Sequence, residues 1–319
     1  MFEAVGTAEI ESARARLGGV VVRTPAVLCA GATADKRVHL KLENLQPSGS
    51  FKLRPIANAI LTRPPDTLRA GVHTFSSGNS ALAMAWMANR IGTTATAVVP
   101  EEGAAESKLE QLRALGARIV RQPFAQWWSA VTSGHHPQFD SVYIDAVRDP
   151  AAFAGNGTIA LEILEDLPDV DAIFVPFGGG GLACGVANAL RASRRAIKVI
   201  ACELETAHPL KSARAAGGPV DSPCEPGFVT GVGFGSILAE MWPVTSRLID
   251  DIVTVSLSEV AAAIRLMAQR NKVVAEGAGA IAVAAAMSNR HRFSKVCAVV
   301  SGGNLDLALL AKILRGEAI

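Results

Sequence analysis

Short, fully apolar runs rich in β-branched residues alternate along the chain with longer segments whose apolar positions recur at helical spacing. Residues 38–43, 72–75, 95–99, 117–121, 171–176, 198–203, 252–256 and 296–300 predict strands. Most are apolar on both faces, as strands covered by helices on either side must be. Residues 80–91 predict a helix closed by Gly92. Residues 104–115 predict another, with Leu109, Leu112 and Leu115 inward and Gly116 at its C-cap. This alternation predicts an α/β fold with largely parallel sheets. The polar stretch 133–138 and the Gly/Pro-rich stretch 217–227 predict surface loops, and the chain shows neither repeats nor heptads.

The 319 residues allow about two domains at roughly 100–200 residues each. A balance of 31 basic against 29 acidic residues leaves a net charge of +2, too little to hold a polyanion, so nucleic acid is not an expected partner. The N-terminal MFEAVGTAEIE carries acid rather than a basic, apolar leader. No apolar run approaches the ~18 residues that span a bilayer, so no membrane contact is expected either. The five cysteines form no CxxC pair, which predicts buried free thiols in a reducing cytoplasm. His135 and His136 are adjacent and do not converge like ligands on a helix face, so no metal is predicted there.

Four turns fall where a strand hands over to a helix, the place where α/β proteins bind ligands. The first is DAIFVPFGGGGLACGVANAL, residues 171–190, in which a strand ends at Gly178, Gly179, Gly180 and Gly181 before a helix begins. Successive glycines expose backbone N–H groups at a helix N-terminus, which suits a phosphate. Gly179, Gly181 and Gly185 also read as a G-x-G-x-x-x-G variant of a dinucleotide fingerprint, with Glu203 about 20 residues on as a ribose ligand, and spacing alone leaves that open. The second is HLKLENLQPSGSFKLRPIANAI, residues 39–60, where a helix starts near Lys52. A helix N-terminus disfavours the charged form of a lysine, useful for an amine that must be neutral, although most lysines are simply exposed. The third places Ser76, Ser77, Gly78 and Asn79 before a helix, either a carboxylate cradle or an ordinary N-cap. The fourth is Ser301-Gly302-Gly303-Asn304.

The ordered set SGSFK, SSGN, FGGGGL and SGGN resembles the fold-type II pyridoxal-phosphate enzymes of the serine/threonine dehydratase and serine racemase group. LKLENLQ, PEEGAAESKLEQLRALGA, AGNGTIALEIL and VVAEGAGA extend the resemblance over nearly the whole chain. It implies two domains, each a largely parallel twisted sheet flanked by helices, of the tryptophan synthase β-like kind, with the cofactor in the cleft between them. The expected division is 1–64 with 146–319 as the large cofactor-binding domain, and 65–145 as a small mobile substrate-binding domain. It also implies a homodimer, with the catalytic unit alone ending at Ile319.

By position, the resemblance makes Lys52 the residue that carries pyridoxal 5'-phosphate as a Schiff base, with Phe51 against its ring. Gly178, Gly179, Gly180, Gly181 and Leu182 would hold the phosphate. Asn79 would bond the phenolic oxygen and Ser301 would face the pyridine nitrogen. Ser76, Ser77, Asn79 and Ser80 would grip the amino-acid substrate, and Glu276 would lie near the ring. A neutral hydroxyl opposite the pyridine nitrogen favours β-elimination of a β-hydroxy amino acid such as serine or threonine over transamination, giving a 2-oxo acid and ammonia. Ser77 stands where racemases carry a serine that protonates the second face, so racemisation, β-replacement and silent ligand binding remain as alternatives. The chain departs from the family at Ser80, usually histidine, and Pro55, usually glycine. At the family's divalent-cation site Glu203 and Ala207 match but Pro209 replaces an acid, so no metal is expected. Met84, Trp86 and Met87 fit helix core better than a substrate wall.

Overall fold

The computed structural model describes residues 5–33, 35–134, 138–193 and 196–318. His135 and His136 lie outside these residues. The strands are β1 (Ala26–Leu28), β2 (Arg37–Lys41), β3 (Val72–Phe75), β4 (Ala95–Pro100), β5 (Arg118–Gln122), β6 (Val142–Tyr143), β7 (Ala172–Pro176), β8 (Lys198–Leu204), β9 (Asp251–Val255) and β10 (Lys295–Val299). The first six α-helices are α1 (Thr7–Leu17), α2 (Leu53–Leu61), α3 (Asn79–Ile91), α4 (Glu106–Ala114), α5 (Phe124–Ser133) and α6 (Pro150–Asp166). The rest are α7 (Gly181–Ala192), α8 (Pro209–Ala216), α9 (Trp242–Leu248), α10 (Leu257–Leu266), α11 (Gly277–Met287) and α12 (Leu307–Arg315).

Two sheets result. One has six strands in the order β1-β2-β10-β7-β8-β9, the other four in the order β5-β4-β3-β6. Every pairing is parallel except β1 with β2. Each predicted strand forms within two residues of its expected ends, and the fold class is the expected one. β1 and β6 are additions. β1 is a three-residue antiparallel edge and β6 has two residues, too short to show a pattern.

The large sheet is a two-sided core. Ile173, Val175, Val199, Ala201, Cys297 and Val299 face the layer that contains α6 and α7, while Phe174, Ile200, Cys202, Val296 and Ala298 face the layer that contains α10 and α11. The alternation is the period of two that a strand imposes on its side chains. The α3 helix ends at Gly92, whose φ of 72° is the left-handed cap expected there. Leu109 and Leu112 are buried, but α4 stops one residue before Leu115, which caps it half-buried. Met84 and Met87 are core, and Trp86 lies at its edge under Arg90. Four cysteines are buried free thiols, whereas Cys224 is exposed in the 217–227 loop, where its thiol donates to the Gly233 carbonyl at 3.2 Å. Among the described residues no helix is long and apolar enough to cross a membrane.

Charge is also buried. Arg54, Lys41 and Glu43 are each 0% exposed. Arg54 Nε and Nη2 donate to the two oxygens of Glu43 at 2.8 and 2.9 Å, and Nη1 and Nη2 donate to those of Glu162 at 2.8 Å. Lys41 Nζ donates to Glu162 at 2.5 Å and to the Thr24 carbonyl at 2.6 Å. Burial alone would raise the Glu43 carboxyl, but the Arg54 charge and hydrogen bonds outweigh it and hold the group below the usual range. Two cations and two anions therefore join β2, the Glu43–Leu45 turn, α2 and α6. Removing Arg54 leaves the Glu43 carboxylate buried without its counter-charge. Arg54→Leu is expected to lower unfolding free energy by roughly 3–5 kcal/mol in a urea titration followed by circular dichroism; an unchanged midpoint would show that the network is not structural.

Candidate active site

Three of the turns lie on one side because β2, β7 and β10 are parallel strands of one sheet and present their C-terminal ends together. The SSGN turn, which follows β3 of the smaller sheet, reaches them through the bonds of Asn79 to Glu276 and Asn304. At the end of β10, Ser301 is 3% exposed, and its carbonyl accepts the N–H of Phe51 at 2.8 Å. A bridge between Ser50 and Gly302 ties the SGSFK turn to the same place. Lys52 is the N-cap of α2, half-buried, with its Nζ 5.0 Å from the centroid of the Phe51 ring. Withdrawal from water pushes its amine down to about 8, while the carboxylate of Asp145 pulls in the opposite direction. The amine is thus much closer to neutrality at physiological pH than an exposed lysine.

The SSGN turn follows β3. Ser76 Oγ accepts the N–H of Gly78 at 3.1 Å, and Asn79 opens α3. Asn79 is held from both sides: its Nδ2 donates to Glu276 Oε1 at 2.5 Å and its Oδ1 accepts from Asn304 Nδ2 at 2.9 Å. Glu276 is 5% exposed, and burial raises its carboxyl against the pull of Lys108 and Asn79. Gly302 and Gly279 allow this approach, since a Cβ on Gly302 would overlap Glu276 Oε1 and one on Gly279 the Gly302 carbonyl. Ser77 and Ser80 are half-buried. Among the described residues their hydroxyls, and the N–H groups of Ser77, Asn79 and Ser80, meet no protein acceptor or donor. The positive end of α3 therefore faces the cleft with free donors, as a carboxylate requires.

The glycine turn behaves similarly. Gly180 has φ +86°, which a side chain would strain, and it is followed by α7. A Cβ on Gly178 would lie 2.8 Å from the Gly231 carbonyl, and one on Gly181 2.9 Å from that of Ala146. Tight packing thus accounts for part of the glycine content. It does not account for the amides: among the described residues no protein atom accepts from the N–H groups of Gly178, Gly179, Gly180, Gly181 or Leu182. A run of five unbonded amides at a helix N-terminus, together with a lysine held near neutrality, fits a cofactor with a phosphate at one end and an aldehyde at the other. The dinucleotide reading fits less well. Gly185 is required by helix packing, because its Cβ would meet Asn156 Cβ at 2.5 Å. Both Glu203 oxygens accept from amides at the start of α8, Leu210 at 2.8 Å and Lys211 at 3.0 Å, and burial raises this carboxyl to about 7. Glu203 is a helix cap, with Pro209 at the first helical position.

Sequence reasoning missed Asp145. It sits between β6 and α6, where its Oδ1 accepts the N–H groups of Val147 and Arg148 at 2.7 and 2.9 Å and its Oδ2 pairs with Arg148 at 3.0 Å. The following residues form the wall of the glycine turn: a Cβ on Gly179 would lie 3.1 Å from Val147 Cγ2. The Asp-x-Val-Arg turn chemistry was the available signal, but a two-residue strand gave no reason to place it at the cleft.

A family model for the pyridoxal-phosphate dependent enzymes matches residues 19–302. The chain is 33% identical over 311 residues to an L-threonine ammonia-lyase of Thermotoga maritima, covering 96% of this chain and 77% of that protein. It is 32% identical over 312 residues to a serine racemase of Oryza sativa, covering 94% and 91%. The structure of maize serine racemase superposes with a TM-score of 0.89 at 32% identity over 98% of both chains. With its two parallel sheets, its five unbonded glycine-turn amides and these likenesses, the chain belongs to the fold-type II pyridoxal-phosphate dependent enzymes, related to threonine ammonia-lyases and serine racemases.

Proposed function

We propose that the protein catalyses β-elimination of a β-hydroxy amino acid such as serine or threonine, releasing a 2-oxo acid and ammonia. The observation that carries this reading is the Lys52 amine, enclosed and lowered to about 8 beside a turn whose amides have no protein partner. The cofactor, when bound, supplies an electron sink for charge that develops at the substrate Cα. In this reading Lys52 would hold its aldehyde, Phe51 would pack against its ring, Asn79 and Ser301 would meet its polar edge, and the amides of Gly178 to Leu182 would hold its phosphate.

The chain's own groups then divide the work. The free donors at the start of α3, with Ser76, Ser77 and Ser80, bind the substrate carboxylate and so fix Cα relative to Lys52. Lys52 Nζ, once the substrate's amino group has displaced it and left it a free neutral amine, would remove the α-proton. Glu276 and Asn304 keep Asn79 in one orientation. Ser301 places a neutral hydroxyl, rather than a carboxylate, at the end of β10, which supports elimination over transamination. We further propose that residues 65–145 close as a unit over the substrate and exclude water, and that the working unit is a cytoplasmic homodimer, as the family resemblance implies.

Ser77 supports racemisation as a second reading, since its half-buried hydroxyl has no protein partner among the described residues and is free to exchange a proton with substrate.

Purified protein is expected to absorb near the violet edge of the visible spectrum, and Lys52→Ala to lose both that band and 2-oxo acid release from L-serine and L-threonine. A colourless wild type after reconstitution with pyridoxal phosphate would remove the proposal's basis. Because only the neutral amine is nucleophilic, the rate at which apo-protein takes up pyridoxal phosphate should rise with pH through about 8, and a midpoint near that of a free lysine would contradict the enclosed amine. Ser77→Ala is expected to lower any exchange of solvent deuterium into recovered D-serine at least about tenfold more than it lowers 2-oxo acid formation from L-serine; equal loss of both would assign Ser77 to substrate binding alone.

A further inference from the structure

Asn156 lies inside α6 and is 0% exposed, yet neither its Nδ2 nor its Oδ1 has a hydrogen-bond partner. Among the described residues no other buried side-chain amide leaves both polar atoms unpaired. Native interiors rarely tolerate this, because an unpaired buried amide loses its water contacts without replacement. Its surroundings indicate what is missing. Gly155 packs on the start of α2, where a Cβ would lie 2.5 Å from the Arg54 carbonyl, and Gly185 packs α7 against Asn156 itself. On the side of the glycine turn, Asn156 Nδ2 is 3.8 Å from the position a Gly181 Cβ would take. The first two turns of α7 thus pack against this side chain, and the unbonded amides at the start of α7 add to its donor character.

We propose that Asn156 is a phosphate-binding residue of the cleft, its side-chain amide donating from beneath the glycine turn to the same anion that the amides of Gly178 to Leu182 hold. The inference rests on the pyridoxal-phosphate reading above and adds to it a side-chain contact supplied by the AGNGT segment. A charged acceptor at this place satisfies Nδ2 in the bound state, so the polar atom serves the ligand rather than the fold.

The test compares dissociation constants for pyridoxal phosphate and for pyridoxal, which has the aldehyde but no phosphate, by absorbance titration of apo-protein. Thermal melting of the apo-proteins is measured alongside. Asn156→Leu keeps the volume and removes both polar atoms. It is expected to weaken pyridoxal phosphate about tenfold, leave pyridoxal unchanged, and leave the apo melting temperature equal or higher. Asn156→Asp, which sets a carboxylate against the phosphate, should show at least the same selective loss, and it carries the test if the leucine variant does not fold. An unchanged ratio of the two dissociation constants in a folded variant, or equal weakening of both ligands, would overturn the proposal and make Asn156 a packing residue. A wild type that does not prefer pyridoxal phosphate to pyridoxal would instead overturn the cofactor reading itself.

Discussion

The buried clamp of Arg54 between Glu43 and Glu162 is the constraint on which the site depends. Arg54 stands two residues after Lys52, in the first turn of α2, and its guanidinium fills both carboxylates in bidentate fashion. A guanidinium in the interior must have its charge and its donors met in place, so the helix start has very little freedom to slide. The lysine at the cap of that helix inherits the fixed position. Among the described residues its own amine has no direct ion pair, which is why enclosure rather than a neighbour dominates its protonation.

Glycines provide a second constraint of a different kind. Gly155, Gly181 and Gly185 bring α6 against α2 and α7, and Gly279 and Gly302 bring α11 under the β10 turn. These approaches leave amides at helix starts without internal partners while excluding side chains that would otherwise cover them. Packing and ligand binding thus call for the same residue type at the same positions. The glycine turn is accordingly an ambiguous signal in sequence, and only the absence of acceptors for its N–H groups separates the two uses.

Much of the fold was legible because a parallel sheet covered on both faces writes its strands as unbroken apolar runs, as at Ala172–Pro176 and Lys295–Val299. The four turns were legible for a related reason, since each interrupts such a run with glycine or serine. Elements without periodicity escaped: β1 and β6 are too short, and Asp145 is positioned by an Asx turn whose partners are backbone amides. The chain Asn304–Asn79–Glu276 joins residues about 200 apart, and no local pattern encodes it. Glu203, which only the dinucleotide reading made a ribose ligand, caps a helix because Pro209 starts α8 close to it and brings free amides within reach of the carboxylate.

The strand order has a consequence for synthesis of the chain. The four-stranded sheet draws on residues 72–143 alone, so all of its strands exist once that stretch has left the ribosome. In the six-stranded sheet, β10 is the last strand made and lies between β2 and β7. Until residues 295–299 arrive, β2 and β7 have no ladder between them, and the phosphate turn and the lysine are joined only through the packing of α6. A ribosome-bound nascent chain that lacks this strand therefore holds every residue of the SGSFK, SSGN and FGGGGL turns and still has no completed cleft.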